Sequence, residues 1–386
     1  MNPNRTPVQG SRPMLRRWML TGAAAVPFLG AAATLSSVVK AELGVQVAGL
    51  ALVVALLPLG VVVPAFLWLD RFEAEPKRYL GFAFLWGALI AAAVSLMLNT
   101  GSLVVLQAFY QQGRVAAAVV VAPVVEESLK GLGVLLILLF RRREFDGIVD
   151  GLVYAGVAAA GFAFAENTLY FGRALLDSGT EGLIAVFVLR GIMAPFAHPL
   201  FTCCFGIGIG IAASRPAGAV RVIAPVIGLT AAIGLHAAWN LSAIIGLDGF
   251  LTRYLLLQFP VFLAALWFAA WARQREGRLI GHYLSGYVAQ GWLSAAEMDM
   301  LRGLPARRAA RQWANHIGGH EAAVAMREFQ DHGSELAFLR MRVSHGTAPI
   351  GAAAEELALL ERMTWCRTVF LRSLLAPVPP VETGRV

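Results

Sequence analysis

The stretch AAAVVVAPVVEESLKGLGVLLILLF, residues 116–140, decides the fold of this chain. It is long enough to cross a bilayer as one α-helix, and its only ionisable side chains are Glu126, Glu127 and Lys130. A single charge near the bilayer centre costs about 2.5–3.5 kcal/mol to insert. Three such residues on one helix therefore indicate a membrane span that faces a polar protein interior, where we expect the function to lie.

The composition of the whole chain predicts an all-α polytopic membrane protein. Hydrophobic residues make up 58% of the 386, the mean hydropathy is +0.66, and 15% of the residues are charged. The net charge of +8 is carried mainly by arginine, without a basic run interleaved with aromatic residues outside the loops that flank the spans, so no nucleic-acid partner is predicted. The three cysteines give no disulfide framework.

Apolar runs of about 20 residues predict eight transmembrane helices. The loops on one side of the membrane would carry 15 Lys and Arg residues and those on the other side four, which predicts that both termini are cytoplasmic. The four on the outer side are Lys40, Arg114, Arg173 and Arg253. The limits of the eight runs are 18–39, 45–69, 80–110, 116–140, 148–171, 182–213, 220–246 and 252–272.

The chain divides into four predicted segments. Residues 1–17 form a cytoplasmic N-terminal segment, 18–272 the eight-helix membrane domain, 273–376 a small helical cytoplasmic domain, and 377–386 a flexible tail. Charges recur at helical spacing after residue 273, which favours helices there. The first apolar run is also compatible with a signal peptide, but it continues to about residue 39, which favours an uncleaved span.

Glu126 and Glu127 precede Lys130 by four and three residues, so one ammonium group can approach both carboxylates on the helix surface. A structural ion pair explains the lysine and one glutamate. The second carboxylate is left without a counter-charge, and this excess favours a functional site.

The fifth predicted span carries acidic residues near both ends. Asp146 at its start is most simply a helix cap, and Asp150, one turn deeper, is placed for a hydrogen bond across helices. Glu166 and Asn167 lie in its outer half. An ionisable group at that depth is costly, so Glu166 is interpreted as functional.

The sixth predicted span contains His198 between Pro195 and Pro199. Two prolines four residues apart must bend or break a helix, and the freed backbone groups are tolerated in a membrane only beside protein or a water-filled cavity. Such a break can aim the imidazole inward as a ligand. Arg190, earlier in the span, would pair with a carboxylate or extend toward the interface.

His236 and Asn240 lie on one face of the seventh predicted span, four residues apart. The alternating directions of the spans bring the polar groups of four helices to similar depth. Carboxylates and imidazoles around one cavity suit hydrolysis, in which a Glu activates water and a His, a Glu or a bound Zn²⁺ stabilises the oxyanion. Glu and His side chains are ligands that a catalytic Zn²⁺ accepts, although the sequence has no H-E-x-x-H motif.

Four segments resemble the motifs of the PrsW-type intramembrane proteases. The segment VVEESLK (124–130) is similar to the family's E-E-x-x-K motif. The segments FAFAEN (162–167), HP (198–199) and HAAWN (236–240) follow in the family's order, and the resemblance covers about residues 60–246. The family is distantly related to the CAAX prenyl endopeptidases, which have a histidine where this chain has Glu166.

The resemblance implies a role for each of these residues. Glu126 would be the water-activating base and Glu127 its catalytic partner, held by Lys130. Asn240 would act with His236 as a ligand or oxyanion pair. The implied metal ligands are Glu166, His198 and His236. From their positions in the spans, Lys130, Asp150, Asn167 and Arg190 are predicted to support the site.

The resemblance also implies a Zn²⁺ cofactor, although the CAAX relatives have been argued to work through glutamate without a metal. The expected substrate is a single-pass membrane or extracytoplasmic protein, as in the family's role in cleaving a membrane-anchored anti-sigma factor, and the expected location is the bacterial plasma membrane. Two other interpretations stay open at this point. The Glu and His residues would form a relay in a proton- or cation-coupled transporter, or His198 and His236 would bind a haem.

Overall fold

The computed structural model of the chain describes residues 12–142, 145–244 and 247–375, which are almost entirely helical and contain no β-strand. The all-α class is thereby confirmed. Four π-helical stretches, at residues 86–91, 117–121, 188–193 and 254–258, are continuous with the α-helices beside them. The α-helices are α1 (Arg12–Leu69), α2 (Lys77–Leu85), α3 (Ala92–Phe109), α4 (Gly113–Ala116), α5 (Ala122–Phe140), α6 (Ile148–Phe187), α7 (Ala197–Ala213), α8 (Val220–Ile244), α9 (Leu247–Arg253), α10 (Phe259–Ala289), α11 (Ala295–Leu301), α12 (Leu304–Ser344) and α13 (Ala352–Leu375).

Five segments of the described residues are long and apolar enough to cross a membrane, which confirms a polytopic membrane protein. They are Ala25–Leu69, Lys77–Phe109, Ile148–Ala213, Val220–Ile244 and Gly249–Ala289. The helix formed by α4, a π-helical stretch and α5 is not among them because its centre holds three ionisable residues. The first and third segments contain 45 and 66 residues, more than one crossing needs. The number of eight spans stays a prediction.

The first long segment reverses direction at Gly44. This glycine has φ 70° and ψ 166°, a left-handed conformation that a residue with a Cβ adopts only under strain. The two halves of α1 then run along α6 in opposite directions. The contacts that establish these directions are Leu35 in one buried cluster with Phe162, Leu43 against Gly172, and Phe66 against Gly156.

The third long segment reverses at Ser178 and Gly179, where the backbone leaves the helical conformation. Phe187 then packs against Phe171, with ring centroids 5.8 Å apart, and Gly206 lies against Gly151. The part of α6 after the break and α7 therefore run antiparallel to the first part of α6. Both reversals lie in gaps that the sequence predicts between spans.

Glycines allow α6 and α7 to approach each other closely. A Cβ atom added to Gly151 would lie 2.0 Å from the carbonyl oxygen of Gly206, and one added to Gly206 would lie 2.2 Å from the carbonyl oxygen of Gly151. Small residues permit such backbone contact in a membrane, where van der Waals packing drives helix association. This contact fixes the depth of His198 on α7 relative to Glu166 on α6.

The end of α10 and helices α11 to α13 form a domain that we call the tail domain. Its buried core includes Phe72, which comes from the loop between α1 and α2. The buried guanidinium of Arg307 donates hydrogen bonds to the carbonyl oxygen of Phe72 (3.0 Å) and to the hydroxyl of Ser334 (2.6 Å), and that hydroxyl also bonds the Phe72 carbonyl (2.7 Å). The tail domain is therefore packed directly onto the helical bundle.

Loops of the helical bundle meet the tail domain at one end, which we call the tail-domain end. Arg342 of α12 pairs with Asp146, and the hydroxyl of Ser214 donates to the carbonyl oxygen of Asp146 (3.2 Å). The reversals at Gly44 and residues 178–179 lie at the opposite end, which we call the far end. Helix α10 crosses the predicted domain boundary at residue 273 without a break. The predicted tail 377–386 and most of the predicted segment 1–17 lie outside the described residues.

Candidate active site

Four helices of the membrane domain bring together the carboxylate and imidazole groups singled out in the sequence. Helix α5 carries Glu126 and Glu127, α6 carries Glu166, His198 is the second residue of α7, and α8 carries His236. Glu166 is partly exposed and the other four are buried. The predicted convergence of these helices at one depth is therefore present in the fold.

Glu127 uses both carboxylate oxygens in contacts with other side chains. Its Oε1 lies 2.5 Å from Nζ of Lys130 and 2.8 Å from Nδ1 of His236, and its Oε2 accepts a 2.7 Å hydrogen bond from the hydroxyl of Thr202. Glu127 and Lys130 are both fully buried. The pairing with Lys130 supplies the counter-charge that a buried carboxylate needs, so Glu127 orients its neighbours instead of facing open space.

Glu126 differs from its neighbour because one of its oxygens is unused. Its Oε1 accepts a 3.0 Å hydrogen bond from Nδ2 of Asn99 on α3. Its Oε2 is buried and has no hydrogen-bond partner among the described residues, and the nearest ionisable nitrogen is Nε2 of His236 at 3.8 Å. Buried polar atoms are normally satisfied, so an orphaned carboxylate oxygen indicates a place for a water, a proton or a ligand.

His198 owes its position to the interrupted helix before it. The π-helical stretch Val188–Met193 ends at Ala194, and α7 begins at Ala197 with its proline, Pro199, in the first turn. The His198 ring then lies between two charged groups, with Nδ1 3.3 Å from Nζ of Lys130 and Nε2 2.8 Å from Oε2 of Glu166. The predicted break lies at residues 194–196, before His198, whereas Pro199 is accommodated in the first turn of α7, and this start of α7 directs the imidazole inward.

Glu166 is paired with a cation as well as with His198. Its Oε2 lies 2.5 Å from Nη2 of Arg190, and Nε of Arg190 donates a 2.7 Å hydrogen bond to Oδ1 of Asn167. The guanidinium also lies over the Tyr170 ring, 4.1 Å from its centroid. Arg190 therefore neutralises Glu166 and holds it against His198.

Three of these residues are placed to share a metal ion. One donor atom each from Glu126, His198 and His236 lies within 4.8 Å of the others, and the two imidazole centroids are 5.2 Å apart. The structure thus groups Glu126 with the two histidines, whereas the sequence-based ligand set contained Glu166. The difference follows from Arg190, which occupies the carboxylate of Glu166.

A cavity of about 620 Å³ extends from these residues toward the far end. Glu126, Glu166, His198, His236 and Asn240 all line it. Asn240 donates one amide N–H to the carbonyl oxygen of Ala118 at 2.8 Å, which fixes the side chain at the cavity wall. The arrangement offers a carboxylate, two imidazoles and an amide to a molecule inside the cavity.

The sequence matches the model of the PrsW family, described as "PrsW family intramembrane metalloprotease", over residues 75–266, about half of the chain. Three curated relatives, each described as "Protease PrsW", are also similar to it. The chain belongs to the PrsW family. The matched region contains every residue of the site described above and ends before the tail-domain helices α11 to α13.

The PrsW relatives come from three bacteria. The protein of Geobacillus kaustophilus is 30% identical over 152 residues, which are 39% of this chain and 62% of the relative. The protein of Clostridioides difficile is 29% identical and the match covers 36% of this chain and 55% of the relative, and for Oceanobacillus iheyensis the values are 29%, 44% and 69%. The chain thus spans less than two thirds of the length of the first two relatives. No solved structure matches this PrsW chain.

Asp150 is the one predicted supporting residue that lies away from the PrsW site. Its Oδ2 accepts hydrogen bonds from the backbone N–H groups of Asp146 (2.5 Å) and Gly147 (2.8 Å), so it caps the start of α6 at the tail-domain end. The other predicted supporting residues, Lys130, Asn167 and Arg190, contact Glu127, His198 or Glu166 directly or through one another.

Two residues of the site were missed from the sequence. Asn99 bonds Glu126, and Thr202 bonds Glu127. An amide in the third apolar run was a usable signal for Asn99, since polar side chains in spans seek partners. Thr202 carried no such signal, because threonine satisfies its hydroxyl on its own helix, and here it also bonds the His198 carbonyl at 3.1 Å.

Proposed function

We propose that this chain is an intramembrane endopeptidase that hydrolyses peptide bonds of membrane-anchored or extracytoplasmic proteins. The observation that carries the proposal is the free Oε2 of Glu126, buried beside two imidazoles at the wall of a cavity of about 620 Å³. A membership in the PrsW family supports it. In this function, the chain lies in a bacterial plasma membrane with its far end outward.

Glu126 is the proposed general base. Asn99 holds Oε1, so Oε2 is left to accept a proton from a water molecule that attacks the substrate carbonyl. The base then delivers the proton to the leaving amine as the peptide bond breaks. This assignment follows the role that the family resemblance implies for Glu126.

Glu127 is the proposed orienting partner. Its carboxylate accepts a hydrogen bond from Nδ1–H of His236. The other ring nitrogen, Nε2, is then unprotonated and faces Glu126. Lys130 holds Glu127 in its ionised state and donates to Nδ1 of His198, so that Nε2–H of His198 points to Glu166. A fixed tautomer of both rings follows from this hydrogen-bond network.

Asn240 is the proposed oxyanion donor. One of its amide N–H groups is used by the Ala118 carbonyl, and the other is available to the cavity. Donors that are already oriented stabilise the developing negative charge on the carbonyl oxygen without reorganisation during the reaction.

A Zn²⁺ cofactor fits the donors present. The orphaned carboxylate oxygen and two imidazoles are ligand types that Zn²⁺ takes in catalytic sites, and Glu126, His198 and His236 would hold it. With the metal bound, Oε2 of Glu126 would be a ligand instead of the base, and Nδ1 of His198 would exchange its contact with Lys130 for the metal. His236 meets a further requirement of such sites, since its other ring nitrogen bonds a carboxylate. When bound, Zn²⁺ supplies Lewis-acid polarisation of the carbonyl and a lower pKa for a water molecule.

The transporter interpretation is not favoured, because the family assignment supports a protease. The haem interpretation conflicts with the geometry. An axial ligand needs a free ring nitrogen, whereas both nitrogens of His198 contact charged side chains, Lys130 and Glu166, and a haem would leave the paired glutamates without a role.

The decisive experiment is comparative membrane proteomics of cells that express the wild type or Glu126→Gln. We expect at least one extracytoplasmic protein terminus that appears with the wild type and is absent with the variant. Glu181→Gln, which alters an exposed carboxylate outside the cavity, is the matched control and should behave as the wild type.

Purified protein then tests the reaction itself. The protein recovered from the membrane should cut the identified substrate, and the amount of bound metal should be measured in the wild type and in His236→Gln. If the wild type cuts nothing in reconstituted membranes, with or without Zn²⁺, while Glu126→Gln blocks the flux of a solute, the protease proposal is wrong.

A further inference from the structure

Three arginines line the cavity in addition to the catalytic groups, and two of them form no ion pair with a carboxylate of the site. Arg190 is neutralised by Glu166 at 2.5 Å. Arg114 and Arg173 lie nearer the far end, where α4 begins and where α6 approaches its reversal. The inner part of the cavity is therefore rich in carboxylates and the part near the far end is rich in guanidinium groups.

These two guanidinium groups are available to an incoming anion. Arg114 is exposed and has no ion-pair partner within the described residues. Arg173 pairs with Glu42 at 2.6 and 2.8 Å, but the two side chains are 44% and 38% exposed. Exposed ion pairs contribute little to stability, so a second carboxylate can compete with Glu42 for Arg173.

Basic residues are scarce on this side of the membrane. The sequence predicts only four Lys or Arg residues in the outer loops, and Arg114 and Arg173 are two of them. The other two, Lys40 and Arg253, do not line the cavity. Loops on the outer side are normally depleted of Lys and Arg, so the presence of half of them at one cavity calls for a functional cause.

The spacing along the helices gives the reach of each group. Arg114 lies twelve residues before Glu126 on one continuous helix, a rise of about 18 Å, which an extended peptide covers with about five residues. Arg173 lies seven residues after Glu166 on α6, a rise of about 10 Å, which corresponds to about three residues.

We propose that Arg114 and Arg173 determine substrate specificity by binding a carboxylate of the substrate about three to five residues from the scissile bond, on the far-end side. The ligand is an acidic peptide segment, through either an Asp or Glu side chain or the C-terminal carboxylate. This inference rests on the proposed endopeptidase function. Guanidinium groups bind carboxylates with charge-assisted, often bidentate, hydrogen bonds, which suits this task.

The test uses the purified full chain and a set of single-pass model substrates. Each substrate has an uncharged segment beside its membrane helix, with one Asp moved through successive positions and an Asn series as the neutral control. A second arm compares a free and an amidated C-terminus at the same positions. Mass spectrometry identifies the bond that is cut, and kcat and KM are measured for each substrate.

We expect Asp at about three to five residues to raise kcat/KM about fivefold over Asn, mainly through KM. Arg114→Glu and Arg173→Glu should reverse the preference toward a Lys at the same positions, while Arg114→Lys should retain the preference for Asp. Arg253→Gln, which alters an outer basic residue outside the cavity, should leave kinetics and preference unchanged. Thermal unfolding of each variant checks that it is folded.

The possible results separate this inference from the proposed function. If the wild type cuts the substrates and Glu126→Gln does not, but Asp and Asn substrates react equally, the specificity inference is wrong and the protease stands. A preference that the charge-reversed variants keep also overturns it. If an effect appears only with the free C-terminus, the carboxylate recognised is the chain end. If the wild type cuts none of them but cuts the substrate found by proteomics, the specificity inference is wrong and the protease stands. If it cuts neither, both proposals are rejected.

Discussion

Two groups of buried carboxylates in this molecule differ in what surrounds their oxygen atoms. In the candidate active site, Glu126 keeps one oxygen without a hydrogen bond beside a cavity of about 620 Å³. At the tail-domain end, the carboxylates of what we call the capping group are hydrogen-bonded, and the nearby cavity has a volume of only about 130 Å³. The capping group consists of Asp70, Glu75, Asp146 and Asp150.

The capping group stabilises backbone and loops. Asp70 accepts a 2.9 Å hydrogen bond from the backbone N–H of Glu75, and the hydroxyl of Tyr154 donates to Glu75. Asp150 accepts from two backbone N–H groups at the start of α6, and Asp146 pairs with Arg342. All four are as buried as Glu126 within a few per cent. Burial therefore does not distinguish the two groups, whereas the unsatisfied oxygen and the adjoining space do.

The largest expected difference between the groups is in catalysis. Glu126→Gln should lower kcat/KM about thousandfold because the amide cannot accept a proton from water, while the melting temperature stays near that of the wild type. Asp150→Asn, the matched change in the capping group, should leave kcat/KM within about twofold. Cleavage assays on the substrate found by proteomics measure both. An equal loss of kcat/KM in the two variants would show that the active site and the capping group do not differ in catalysis.

Stability should change most at the ion pair inside the site. Lys130→Met leaves Glu127 buried without its counter-charge and should lower the free energy of unfolding by about 3 kcal/mol. The double variant with Glu127→Gln should recover part of this loss, since the isolated charge is gone. Arg302→Gln, which breaks the exposed pair with Asp299, should change stability by less than about 0.5 kcal/mol. Unfolding in detergent measures all three, and an unaltered Lys130→Met protein would contradict the pairing.

A smaller loss of stability should follow removal of a cap. Asp150→Ala takes away the acceptor for two backbone N–H groups and should lower the free energy of unfolding by about 1–2 kcal/mol. Asp150→Asn keeps an acceptor oxygen and should lose less. The check is thermal unfolding together with kcat/KM of the folded protein, because a large loss of kcat with normal stability would assign Asp150 to the site after all.

A pH dependence of stability is expected at Asp70. Burial raises the pKa of Asp70 to about 8, the charge of Asp150 adds to this, and the Glu75 backbone N–H opposes it. The folded state then binds a proton that the unfolded chain has lost above about pH 4, so the stability from this group falls as pH rises from about 4 to 8. Asp70→Asn should melt several degrees above the wild type at pH 8, with a smaller difference at pH 5. A difference that does not vary with pH would show that Asp70 is ionised throughout.

The sequence predicted those parts of the fold that depend on short stretches of neighbouring residues, such as the helices and their breaks. Apolar runs gave the helices, and the reversals at Gly44 and Gly179 lie in predicted gaps because polar or glycine-containing stretches separate the runs. The prolines around His198 gave the break before α7. The change of composition at residue 273 predicted a domain boundary, but no break in the helix marks it, because α10 continues through this position while its environment changes.

The sequence predicted which residues belong to the site, but not which hydrogen-bond or ion-pair partner each of them has. Glu126, Glu166 and His236 were evident because each is costly in an apolar run. Which carboxylate is paired and which is free depends on contacts between helices, such as Arg190 with Glu166 and Asn99 with Glu126. Asp150 was grouped with the site because its sequence does not reveal that two backbone N–H groups satisfy it.

The burial of Phe72 in the tail domain has a consequence for biosynthesis. This residue emerges from the ribosome long before α11 to α13, yet it completes the core that those helices form. Helices α11 to α13 therefore pack onto a loop that is synthesised much earlier. Arg307 stabilises this contact by donating a hydrogen bond to the Phe72 carbonyl. A chain that stops before α11 leaves the Phe72 ring uncovered at the tail-domain end, and exposed apolar surface of this kind is recognised by quality-control proteases and chaperones.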